Sequence, residues 1–114
     1  MVTISTHTLD SATGAHAANV EVCLYGVDLN SNFTKLWSKK TDQGGRLSVE
    51  FETDPTVFTN HYQLSFNIKN YFTHISKGAQ VASINLSVVL PDPNGFYHLP
   101  IIISPHGASL WWSN

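Results

Sequence analysis

Apolar and polar residues alternate one by one through most of this chain, and that period constrains the fold more than any other feature. Tyr62, Leu64, Phe66 and Ile68 alternate with His61, Gln63, Ser65 and Asn67. Leu47, Val49 and Phe51 alternate with Arg46, Ser48, Glu50 and Glu52, and Ile84, Leu86, Val88 and Leu90 enclose Asn85 and Ser87 in the same way. A strand sends successive side chains to opposite faces, so each stretch reads as a strand with one face on a core. Val20, Val22 and Leu24 form a similar stripe, and Phe33, Lys35 and Trp37 a weaker one. Turn chemistry punctuates the pattern at Ala12-Thr13-Gly14, Asp42-Gln43-Gly44-Gly45, Asp54-Pro55, Pro91-Asp92-Pro93-Asn94-Gly95 and Ser104-Pro105-His106-Gly107. About eight short strands at these spacings predict an all-β sandwich or barrel. Only the stretch from Lys69 to Ser76, ended by Gly78, reads as a short helix. With 114 residues and no internal repeat, a single domain spanning 1–114 is expected.

One strand breaks the alternation. Leu99-Pro100-Ile101-Ile102-Ile103 is apolar on both faces, which requires cover on both. If Tyr97, Leu99, Ile101 and Ile103 face the core, then His98, Pro100, Ile102 and Ser104 share the outward face. Each sheet of a sandwich has a free side, so the second cover is expected from another subunit. Composition agrees: charged residues are 12 %, against about 25 % in typical domains, and a small monomer usually carries more. A net charge of −2, with five lysines and a single arginine, excludes nucleic-acid binding by charge. No stretch approaches the roughly 18 apolar residues of a membrane span, and Met-Val-Thr-Ile-Ser-Thr-His is not expected to open a secretory signal. Cys23 is the only cysteine and reads as a buried strand thiol, which suits a reducing, cytoplasmic setting. There Asn32-Phe33-Thr34 and Asn85-Leu86-Ser87 carry no glycosylation signal.

The histidines are His7, His16, His61, His74, His98 and His106. None stands in His-Glu-x-x-His or at metal-ligand spacing from a cysteine, so no metal site is expected. The pattern of neighbouring residues carries more. Ser5-Thr6-His7-Thr8-Leu9-Asp10 leads to Thr13-Gly14 and Ala18-Asn19-Val20; Thr41-Asp42-Gln43-Gly44-Gly45-Arg46 follows. Phe96-Tyr97-His98-Leu99-Pro100 then runs through three isoleucines into Ser104-Pro105-His106-Gly107. In order and separation these segments resemble the transthyretin-like proteins, specifically the 5-hydroxyisourate hydrolase branch. The resemblance covers nearly the whole chain, and Tyr71-Phe72 falls where that family has its short helix.

The resemblance implies a two-sheet, eight-strand prealbumin-like sandwich with one short helix, paired into dimers and then into a homotetramer. It implies active sites in a channel at the dimer–dimer interface, a small-molecule substrate and no cofactor. The family's catalytic histidines and arginine match His7, His98 and Arg46. The chemistry suits these residue types. Opening a cyclic amide needs an activated water, a stabilised oxyanion and a protonated leaving nitrogen. Imidazole exchanges protons near neutrality, and a guanidinium presents a planar fork of donors to a ureido edge or an oxyanion. For Arg46 the alternative is a surface pair with Glu50 or Glu52.

The tail departs from the family. The hydrolases typically finish in Tyr-Arg-Gly-Ser, terminal residues that contribute to the substrate pocket, whereas the matching positions here are Trp111, Trp112, Ser113 and Asn114. An indole with one donor and no charge replaces the arginine. These four are the expected substrate-binding residues, or else a hydrophobic terminal strand packed at the tetramer interface. Three functions follow: a 5-hydroxyisourate hydrolase with an unusual tail; a repurposed member that hydrolyses, isomerises or cyclises another heterocycle or carbonyl compound; or a non-catalytic small-molecule binder.

Overall fold

The computed structural model describes residues 1–73 and 80–114. Eight strands form among them: β1 (Val2–Asp10), β2 (Glu21–Val27), β3 (Phe33–Lys40), β4 (Arg46–Phe51), β5 (His61–Asn67), β6 (Ser83–Val89), β7 (Phe96–Ser104) and β8 (Gly107–Leu110). They build two four-stranded sheets, in the orders β4-β1-β7-β8 and β3-β2-β5-β6. All named pairings are antiparallel except β1 with β7, which run parallel.

The alternation in the sequence is the alternation in burial. Val2 and Ile4 of β1, Val22 and Leu24 of β2, Tyr62, Leu64 and Phe66 of β5, and Leu99, Ile101 and Ile103 of β7 all lie in the core between the sheets. Burying a side chain of this kind is worth roughly 1.5–3 kcal/mol, so a one-residue slip in register would exchange the core for the polar face. β3 is the exception: it is an edge strand, exposed nearly throughout, and Phe33 and Leu36 face solvent.

Two four-residue helices occur among the described residues, where the sequence pattern predicts one. Pro55–Phe58, α1, forms where Asp54-Pro55 reads as a turn. The Asp54 carboxylate accepts from the Thr56 amide (3.2 Å) and hydroxyl (2.6 Å), and proline at the first helical position has its φ preset. Phe58 then plugs the space over Gly26, where an added Cβ would lie 2.6 Å from its ring. The second helix, α2, spans Ile68–Tyr71, capped by the Asn67 side chain. It opens one residue ahead of the predicted Lys69 start; residues 74–76 of that stretch, and Gly78, lie outside the described residues. No described helix is long and apolar enough to cross a membrane.

The β3–β4 turn decides what stands at the head of β4. The Asp42 carboxylate accepts from the amides of Gly44 and Arg46, both at 2.9 Å, folding the turn onto itself. Gly45 has φ of +72°, and a Cβ there would come within 2.4 Å of the Thr8 carbonyl. Its own carbonyl accepts from the Thr8 amide at 2.7 Å, so the turn is laid directly on β1. Thr41 is buried behind it, accepting from the Val20 amide (3.0 Å) and donating to the Ala17 carbonyl (2.7 Å). The threonine, the turn and the glycine-arginine pair of the sequence pattern thus form one device that delivers Arg46.

Candidate active site

Arg46, the first residue of β4, is the cross-strand partner of His7 on β1. Opposed residues in a ladder share a face, and here it is the outer one, because Thr6 and Thr8 are buried while His7 is half-buried. On the other side of β1 the parallel ladder sets His98 of β7 beside Ser5. His7 and His98 therefore lie on one face of two adjacent strands, displaced by two positions along them. Arg46 joins no ion pair with Glu50 or Glu52 among the described residues, so its guanidinium is open to a ligand.

His98 is held by Ser5, whose Oγ lies 2.6 Å from Nδ1. That leaves Nε2 as the ring nitrogen without a partner among the described residues. Beside it opens a groove of about 400 Å³ lined by Ser5, Arg46, Ser48 and His98, with Lys40 and Asp42 from the ends of the β3–β4 connection. His7 stands next to this groove as the neighbour of Arg46. Its pKa is lowered, first by burial, then by the positive Arg46 and by His16, with His98 adding a smaller push; a hydrogen bond to the Gly44 backbone works the other way. A depressed histidine stays neutral, with a lone pair to accept a proton, at pH values where an ordinary imidazole is already charged.

The tail enters the same face by alternation. The pairing of Ile101 with Leu110 continues, after a break, to His98 with Ser113, and this register sets Trp111 opposite Pro100 and Trp112 opposite Leu99. Ser113 exchanges both backbone hydrogen bonds with His98, at 2.9 and 3.0 Å. Trp111 and Ser113 thus share the outer face with His98, and Trp111 remains 53 % exposed. Trp112 turns inward and stacks on Tyr97, ring centroids 5.1 Å apart and 24° between planes. Asn114 is exposed beyond the last bridge. Of the four tail residues anticipated at the pocket, Ser113 pairs with His98, Trp111 shares its outer face opposite Pro100, and Trp112 packs, partly buried, against the core.

Sequence reasoning passed over several residues on this face. Ser5 sits in a quoted motif, yet nothing in its spacing marks it as the partner of a histidine 93 positions away. His16 carries its Nδ1 to 2.9 Å from His7 Nε2. Lys40 and Asp42 reach the groove only because the turn folds back. Among the described residues, no cluster of three or more His, Cys, Asp or Glu is arranged to hold a metal.

Two imidazoles and a guanidinium without an ion-pair partner among the described residues, beside an open groove, are the groups that moving a proton and stabilising a developing negative charge call for. Comparison with known proteins shows what the whole chain is similar to. The chain is 30% identical over 112 residues to a 5-hydroxyisourate hydrolase of Halalkalibacterium halodurans, covering 95% of this chain and 94% of that one. Its fold matches the structure of Klebsiella pneumoniae 5-hydroxyisourate hydrolase with a TM-score of 0.73 and 24% identity, over 100% of both chains. The crystal structure of (S)-allantoin synthase matches with a TM-score of 0.75 and 21% identity, over 99% of this chain, which spans 44% of that longer one. Residues 4–112, from within β1 to the inward-turned Trp112, fit the family model, and the chain belongs to the HIUase/transthyretin family.

Proposed function

We propose that the chain is a hydrolase that opens the cyclic amide of 5-hydroxyisourate. The single observation that carries this reading is the placement of His7, Arg46 and His98 on one open face by adjacent strands. In the proposed reaction a water in the groove gives a proton to an imidazole as its oxygen bonds to the ring carbonyl carbon. Arg46 donates to the oxyanion that develops. When the carbon–nitrogen bond breaks, the stored proton passes to the leaving nitrogen, and both histidines return to their starting state. His7, with its depressed pKa, suits proton uptake, and His98, steadied by Ser5, offers Nε2 to the groove. The reading requires no cofactor and assigns the reaction to the cytoplasm.

The face is also the proposed meeting surface of subunits. Phe96 is 62 % exposed, and Pro100, Ile102 and Trp111 continue an apolar row beside His98. A homotetramer built as a dimer of dimers would cover that row and wall the groove, with the small-molecule substrate held between facing copies. The test is the initial rate on freshly generated 5-hydroxyisourate. Acceleration over the spontaneous reaction is expected, falling about 10²–10⁴-fold in His7→Ala and in His98→Ala. No acceleration at all would overturn the proposal.

The exposed indole of Trp111 favours a second reading, in which the same trio acts on a larger or flatter heterocycle or carbonyl compound. Trp111→Ala separates the two. It would leave turnover of 5-hydroxyisourate within about threefold under the first reading. Under the second, a supplied aromatic heterocycle is turned over faster than 5-hydroxyisourate, and that advantage vanishes in Trp111→Ala.

A further inference from the structure

The His7 imidazole is half of a pair. Its Nε2 lies 2.9 Å from Nδ1 of His16, and the rings stack with centroids 5.0 Å apart and 27° between planes. Backbone places the second ring there. Leu9 bridges to His16 across the turn; the Asp10 amide donates to the Ala15 carbonyl at 2.9 Å, and the Ala17 amide to Thr8 at 2.8 Å. The turn is anchored from beneath by the buried Asp10 carboxylate, which accepts from the Ala12 amide at 2.8 Å and from the Tyr71 hydroxyl at 3.1 Å.

A hydrogen bond between two imidazole nitrogens needs one N–H and one lone pair. While it lasts the pair carries at most one positive charge, and charging both rings breaks it. We propose that His16 is a positioning residue for His7, holding its ring through this bond and sharing its proton, so that the two imidazoles take up and return one proton as a unit. This deepens the hydrolase reading above and rests on it. The water's proton enters the pair as its oxygen bonds to the carbonyl carbon; it leaves to the amide nitrogen as the carbon–nitrogen bond breaks, and both rings end neutral. The groups that face His7 set the pH at which this happens. Arg46 from β4 and His98 from β7 oppose the charge, Lys40 and Asp42 line the adjoining groove with opposite signs, and the Gly44 backbone hydrogen bond favours the charge.

The test combines two measurements on the full chain and on His16→Ala and His16→Asn. Nitrogen-15 spectra of the histidine rings read the titration and tautomer of His7 without any turnover, and pH–rate profiles with 5-hydroxyisourate read catalysis. In His16→Ala the His7 midpoint moves upward, the acid limb of the rate moves with it, and kcat falls about tenfold with KM within about twofold. His16→Asn keeps a donor for Nε2 but does not titrate, so it restores most of kcat while leaving the limb displaced. Identical His7 titration in the parent and His16→Ala overturns the proposal, as does an unmoved limb. A coupled titration in a chain that turns over no 5-hydroxyisourate instead overturns the hydrolase reading and leaves the shared proton standing.

Discussion

The two sheets expose outer faces of similar relief and opposite character. The face of β3-β2-β5-β6 holds a groove of about 330 Å³, scarcely smaller than the one beside His98, lined by Glu21, Tyr25, Lys35, Ser65, Asn67 and Lys69 among others. Some polar side chains of this face pair with one another: Ser65 donates to Asn85 at 2.6 Å, and His61 meets Ser87 at the same distance. On the face of β4-β1-β7-β8, a guanidinium has no ion-pair partner among the described residues, two histidines stand on adjacent strands, and exposed apolar side chains lie near them. Concavity is thus common to both faces, whereas histidines on adjacent strands beside an arginine belong to one. That difference, and not volume, marks the site.

The contrast can be broken most directly at Arg46. Arg46→Lys keeps the charge but loses the planar fork, and it is expected to lower kcat/KM about 10²-fold on 5-hydroxyisourate with an unchanged melting temperature. A loss below threefold would remove the guanidinium from the chemistry. Next in size is the turn that delivers it. Gly45→Ala must place a Cβ against the Thr8 carbonyl at a positive φ, and urea unfolding should register a loss of about 3 kcal/mol. At Gly44, φ is not in the left-handed region and the nearest atom to an added Cβ is the Asp42 side chain at 3.4 Å. Gly44→Ala should therefore stay within about 1 kcal/mol.

A smaller effect concerns pH. His7 has a folded pKa below the ordinary value of about 6.5 that it regains on unfolding. Below 6.5 the unfolded chain binds the extra proton first, so this residue's contribution to stability is full above 6.5 and is lost as the pH falls through the folded value. Chemical denaturation at stepped pH should show that loss in the parent and not in His7→Gln. Smallest of all is the control on the opposite face. Lys69→Ala should change neither the rate nor, beyond about 0.5 kcal/mol, the stability; a marked drop in activity would show that both grooves serve one function.

Most of the sandwich was legible because burial follows residue parity. The stripes of β4, β5, β6 and β7 could be read directly, and so could the outward set of His98, Pro100, Ile102 and Ser104. The same parity, carried one strand further, would have separated Trp111 from Trp112; what was missing was the register of the tail on β7, which only the pairing of Ser113 with His98 supplies. The helix Pro55–Phe58 escaped because an aspartate-proline pair serves equally as a turn and as a capped first turn, and Phe58 finding Gly26 decides between them. His7, Arg46 and His98 were reached through resemblance, since nothing local in their spacing brings them together. His16 was hidden because its approach to His7 depends on how the turn after β1 closes.

The parallel pairing of β1 with β7 has a kinetic consequence. Ser5 and His98 touch across 93 positions of chain, and no hairpin can seed such a contact, so the entropy of closing that long loop must be met before any of its hydrogen bonds form. A refolding population that has assembled β2, β5 and β6 through their sequence-near pairings is still inert. Catalytic competence should return with the slowest phase of refolding, when the opening strand and the late strand finally lie side by side.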